Sequence, residues 1–265
     1  MVNAIYIIAI GLGTAFLLGL LRDEWRSIAY AVSLIALASM VWISGSWLWA
    51  MGIDGAAAVD MFTAGSKPPF SINLRVGIAE AALVLLVTTS SLLSTLYMKD
   101  TLFRLGRRAM AIQLVFTMAL SGIILTRDVF NLFVFFELSV ISTAGLILLS
   151  ADARALAAGF KYLIVSQVVS ILLLIGIIFA YHASGTLNID GMVEQSLVFI
   201  KGGSLAFFLM LIAVIIELKP FPANGWALDI YESAHPAFSA VFSAALAGAA
   251  AIFAVDKLLI IGGQG

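Results

Sequence analysis

The chain alternates long apolar stretches with short polar ones, and the length of the apolar stretches decides its class. A bilayer hydrocarbon core is about 30 Å thick and takes about 20 residues of helix to cross. Runs of that order, separated by Gly, Pro or clustered charge, fall at residues 3 to 21, 27 to 51, 74 to 97, 109 to 126, 128 to 150, 156 to 182, 204 to 233 and 236 to 261. The pattern predicts an all-α polytopic membrane protein with about eight transmembrane helices. The first run has no basic segment ahead of it and no small-residue cleavage pattern before Arg22, so it is expected to persist as a span.

The seventh run breaks its own periodicity. It proceeds as an apolar helix from Ser204, meets Glu217, Lys219, Pro220 and Pro222, passes Asn224 and Gly225, and resumes from Trp226 to Tyr231. Each proline lacks an N–H and clashes with the carbonyl four residues back, so the seventh helix is predicted to be broken at Pro220 and Pro222. The freed carbonyls need partners in protein or in a wet cavity, as in the broken helices that line ion paths.

Composition sharpens this reading. The 265 residues are 63% hydrophobic and 11% charged, against about 45–50% and about 25% in soluble domains, which places the chain in the lipid bilayer and excludes disorder and nucleic-acid binding. Cysteine is absent and there are two histidines, so disulfides, Fe–S ligation, a metal site and any other cofactor are not expected in this chain. The loops after spans one, three and five carry Arg22, Arg26, Lys99, Arg104, Arg107, Arg108, Arg154 and Lys161, while those after two, four and six carry Lys67, Arg75, Arg127 and Lys201. This excess predicts a multi-pass protein of the cell (cytoplasmic) membrane with both termini outside.

Several charges lie where lipid would not tolerate them. Glu137 is nine residues past Asp128 and thirteen before Ser150, close to the predicted midplane. Its burial costs at least about 2.5 kcal/mol, so it is expected to face the bundle and either pair or take up a proton. Glu217 and Lys219 sit at the break of span seven; they would point apart on an unbroken helix, and at a broken turn they either swing into a cavity or form a local salt bridge that caps the ends. Lys161, near the start of span six, either snorkels or joins the polar path. His235 lies beside the broken helix and is a candidate proton carrier, whereas His182, at the outer end of span six, reads as interfacial.

The stretch TRDVFNLFVFFEL at 126–138 resembles the fifth-helix signature of the antiporter-like subunits of respiratory complex I, Mrp-type cation/proton antiporters and membrane-bound energy-converting hydrogenases. PPFSINLR at 68–75, FKYL at 160–163, GTLN at 185–188, and Phe221-Pro222 with Trp226 and Asp229 agree in the same order, closest to the D-type subunits of the Mrp and hydrogenase branch. The resemblance implies three leading helices over residues 1–108 and the first five-helix repeat over 109–265, with a second, inverted repeat either supplied by another polypeptide or lost. It puts Glu137 on the fifth-helix glutamate, which pairs in relatives with a lysine of the broken helix. Ungapped alignment puts Glu217 on that lysine position, with Lys219 two residues away. The eighth-helix basic residue of relatives falls on Ala247-Gly248-Ala249, leaving Ser243 to order water and Lys257 farther toward the outer surface.

Two functions follow from this reading. In the first, the chain is a membrane subunit of a multisubunit redox-driven or antiporter complex and forms half of a proton or sodium path through Glu137 with Lys219 or Glu217. In the second it is a non-transporting half-subunit that links active modules. In either case redox chemistry belongs to other subunits.

Overall fold

The structure is a computed structural model that describes residues 1–63, 65–66, 71–149, 153–221, 224–233, 238–239 and 247–263. Its helices are α1 (Ile5–Leu20), α2 (Arg26–Gly52), α3 (Ile78–Tyr97), α4 (Lys99–Leu105), α5 (Arg107–Leu125), α6 (Val129–Leu148), α7 (Ala153–Ser184), α8 (Ile189–Glu194), α9 (Gly203–Glu217), α10 (Gly225–Ser233) and α11 (Ala247–Gly262). Five helical stretches, Asp23–Gly52 and those of α3, α5, α6 and α7, are long and apolar enough to cross a bilayer, and α1 and α9 are shorter apolar helices.

The all-α expectation needs one correction. Residues 59–62 and 73–76 form an antiparallel hairpin, β1 (Val59–Phe62) and β2 (Asn73–Val76), pairing Val59 with Val76 and Phe62 with Asn73. The third apolar run therefore begins as a strand, and its helix starts only at Ile78. Gly77 explains the boundary: its extended backbone turns the chain, and its N–H donates to the Glu80 carboxylate at 3.1 Å, one turn into the helix.

Helix α5 is the hub, with most of its residues buried. At its start Arg107 donates to the carbonyl of Gly19 at 2.8 Å and to Asp23 at 2.8 Å, fixing it to the end of α1. Farther along, Gln113 donates to the Thr95 hydroxyl of α3 at 2.8 Å. Where helices share the apolarity of lipid, such polar bridges and close packing supply specificity. At the other end of α5 the chain reverses through Arg127 and Asp128. Asp128 caps α6 by accepting from the Asn131 N–H at 2.8 Å, and Asn188 caps α8 by accepting from Gly191 at 3.0 Å. Arg127 pairs with Asp190 across this knot, and residues 74 and 188 form bridges to Thr126 and Asp128.

Helix α9 lies against α7 at close range because Gly176 has no side chain. A Cβ there would come within 2.8 Å of the Met210 Cγ and 2.9 Å of its backbone nitrogen. Gly176→Val should therefore separate the two helices and destabilise the protein by about 1–3 kcal/mol, seen as a lowered thermal midpoint in detergent. Gly13→Ala, at a position where a Cβ meets nothing within 4 Å, should leave the midpoint nearly unchanged.

Candidate functional site

Helix α9 ends at Glu217 and α10 begins at Gly225. Lys219 is the turning point, with a φ of 58°, the left-handed region that costs a non-glycine residue free energy and commonly terminates a helix. This conformation folds the side chain back on its own helix. The ammonium donates to the Glu217 backbone carbonyl at 3.3 Å and meets the Glu217 carboxylate at 3.4 Å. Residues that an unbroken helix would point apart are thus joined, and both side chains are nearly buried, 14% and 11% exposed. Pro220 follows outside helical structure, so no carbonyl of α9 has to accommodate its ring. Pro222 lies outside the described residues, as does His235.

The pair opens on a pocket whose lining includes Phe116, Ser139, Thr143, Tyr162, Tyr231 and Ala247. The Lys219 ammonium stands 5.9 Å from the centroid of Tyr162 and 5.6 Å from that of Trp226, and the two rings pack at 5.4 Å. Glu217 also lines a second pocket, with Phe136, Val140, Ser170 and Ala213. One carboxylate is therefore shared by two pockets, one of which lies along the helix face that carries Phe136 and Val140, on either side of Glu137.

Glu137 itself is half-buried on α6. One oxygen accepts from the Gln167 amide at 3.0 Å, and the other is buried without a hydrogen-bond partner among the described residues. Among those residues no ion pair joins Glu137 to Lys219; the lysine is held by Glu217 instead. Gln167 gave no signal in the sequence beyond being a polar residue on a helix whose outward stripe reads Ile164, Val168, Ile171, Ile175 and Ile178.

Lys161 is about half-exposed, and its head group pairs with Asp229 of α10 at 2.6 Å. Arg154, Glu232 and Ser233 line the same open crevice. The partner comes from an element 68 residues away, which is why spacing did not reveal it.

Lys257 lies at the end of α5, inside the bundle. It is buried, at 1% exposure, and donates to the carbonyls of Ile123 at 3.0 Å, Ile124 at 2.5 Å and Thr126 at 2.7 Å. These carbonyls belong to the end of α5, where the last turn has no intrahelical donors, and a cation suits the negative end of the helix dipole. No group of three or more His, Cys, Asp or Glu placed to hold a metal occurs among the described residues.

Similarity to known proteins extends over the segment that carries this geometry. The profile of the family described as NADH:quinone oxidoreductase/Mrp antiporter, TM, matches residues 126–261, which hold Glu137, Tyr162, Glu217, Lys219 and Lys257. The chain belongs to this family. It is thereby a multi-pass membrane protein. It is 32% identical over 203 residues to the D subunit of the Na(+)/H(+) antiporter of Bacillus subtilis, covering 74% of this chain and 41% of that one. It is 27% identical over 267 residues to NADH-quinone oxidoreductase subunit N of Rubrobacter xylanophilus, covering 97% and 52%. Among solved structures, it superposes with a TM-score of 0.82 at 26% identity on a chain of the membrane-bound sulfane sulfur reductase, an archaeal respiratory complex, covering 97% of this chain and 51% of that one. For the Mrp complex of Dietzia sp. DQ12-45-1b the TM-score is 0.84 at 23% identity, covering 98% and 50%. The chain thus spans between two fifths and about one half of the length of these relatives.

Removing the Lys257 ammonium leaves the α5 carbonyls unpaired inside protein. Lys257→Met is expected to cost about 2–4 kcal/mol, read as a lower unfolding midpoint in detergent, with Lys257→Arg closer to the parent. An unchanged midpoint for the methionine variant would mean that the carbonyls find other donors.

Proposed function

We propose that this chain is a membrane subunit of a multisubunit redox-driven or antiporter complex and forms half of a proton or sodium path. Glu137, Glu217 and Lys219 form its mobile charge centre. The observation that carries this reading is the nearly buried Lys219–Glu217 pair at the end of α9, with a buried Glu137 oxygen on α6 that has no partner among the described residues. A charge at membrane depth is costly unless it faces protein or water and is put to use. A pair joined at 3.4 Å by long contacts can be made and broken as a proton or cation passes.

In this reading α9 and α10 are the two halves of a broken seventh span among eight, interrupted at Pro220 and Pro222. Residues 1–108 are the leader and 109–265 the first repeat, and the chain works beside other membrane subunits. The protein lies in the cytoplasmic membrane with both termini outside. Lys161 and His235 belong to the same polar path, while electron carriers sit in other subunits. One observation favours the alternative of a linking, non-transporting half-subunit. Lys257, the basic residue of α11, is engaged by three carbonyls and so is not free to relay a proton onward.

The test is ion pumping by the assembled complex in membrane vesicles. Glu137→Gln keeps shape and hydrogen-bonding capacity but removes the titratable charge, and it should lower pumping by about tenfold or more while assembly survives. Lys219→Ala should do the same. A large loss with Glu217→Gln while Lys219→Ala is nearly silent would assign the role to two acids instead. Parental pumping in all three variants would make the chain a structural filler.

A further inference from the structure

We propose that Tyr162 and Trp226 form a cation–π cradle that holds the Lys219 ammonium charged in its folded-back position, and that both are positioning residues of the path described above, on which this inference rests. The ammonium has three N–H donors. The two acceptors that Glu217 offers it lie at 3.3 and 3.4 Å, well beyond the 2.7–2.9 Å of a strong charge-assisted bond. At 14% side-chain exposure little water remains to complete its solvation. The faces of two rings contribute instead, at 5.6 and 5.9 Å from their centroids, within the roughly 6 Å over which an aromatic quadrupole attracts a cation, most strongly when the cation is desolvated.

The cradle is built, since its two walls come from different elements, α7 and α10, and pack on each other at 5.4 Å. Both rings are buried, and the Lys161–Asp229 pair fixes the same interface, one residue from Tyr162 and one helical turn from Trp226. Thr143 of α6 lines the same pocket as Tyr162, so the cradle reaches the helix that carries Glu137. The lysine is thereby held charged without a tight ion pair, and a charge held this way is available to leave.

The test separates shape from quadrupole. In the assembled complex, position 226 is made Phe, and separately 3,4,5-trifluorophenylalanine, which has nearly the same shape and a drained ring face. Lys219→Ala is measured alongside. Pumping should stay within about threefold of the parent with Phe and fall about tenfold further with the fluorinated ring. Equal pumping by the two ring variants, with Lys219→Ala inactive, overturns the cradle and leaves the path intact. Parental pumping by Lys219→Ala overturns both. If the Trp226 variants fail to assemble, Phe against trifluorophenylalanine at position 162 gives the same reading, and equal pumping there overturns the cradle.

Discussion

A lysine in a left-handed backbone conformation ends α9, and the arrangement of the polar centre depends on it. At a φ of 58° the chain cannot continue as helix, and the side chain swings back over the turn it has just left. That single torsion joins Glu217 to Lys219, carries the ammonium between Tyr162 and Trp226, and lets the chain reach Pro220 already outside the helix. The strain of a non-glycine residue there, about 1–3 kcal/mol, is offset by the ion pair and by the cation–π contacts. Glycine would adopt the same backbone more cheaply, but would bring no charge.

Contacts across the bundle hold this turn in place. Gly176 lets α9 sit directly on α7, the helix that supplies Tyr162, Lys161 and Gln167. Lys161 and Asp229 lock α10 to the same helix. On the far side, Lys257 ties α11 to the end of α5 through three carbonyls, and Arg127 with Asp190 anchors the adjoining connection to α8. Two buried lysines are thus used in opposite ways. The ammonium of Lys257 is saturated by three close carbonyls, whereas that of Lys219 is held by long contacts and faces two rings.

Much of this was legible in the sequence, because hydrophobic length and proline placement are local signals. The apolar runs located the long helices, the Glu217 to Pro222 stretch fell where α9 ends, and the isolation of Glu137 in an apolar run singled out a residue with a buried oxygen that has no partner among the described residues. What escaped was non-local or conformational. Leu74 to Val76 looked like the start of a span, yet β1 pairs with this segment and Gly77 delays the helix. Counting residues along its helix could not show that the end of α5 wraps the Lys257 head group. Gln167 and Asp229 became partners of Glu137 and Lys161 only once α7 was packed between α6 and α10. The left-handed turn at Lys219 has no sequence signal apart from the proline that follows it.

The central claim is that Lys219 is folded back on Glu217 between two aromatic rings, away from a direct bond to Glu137. A cryo-EM map of the intact complex, at a resolution that shows side chains and ordered water, measures this directly. The account predicts a left-handed Lys219, its ammonium beside Glu217 and facing Tyr162 and Trp226, with water against the open Glu137 oxygen. Helical backbone continuing through residues 217 to 225, or a Lys219 side chain directed into lipid, would contradict it.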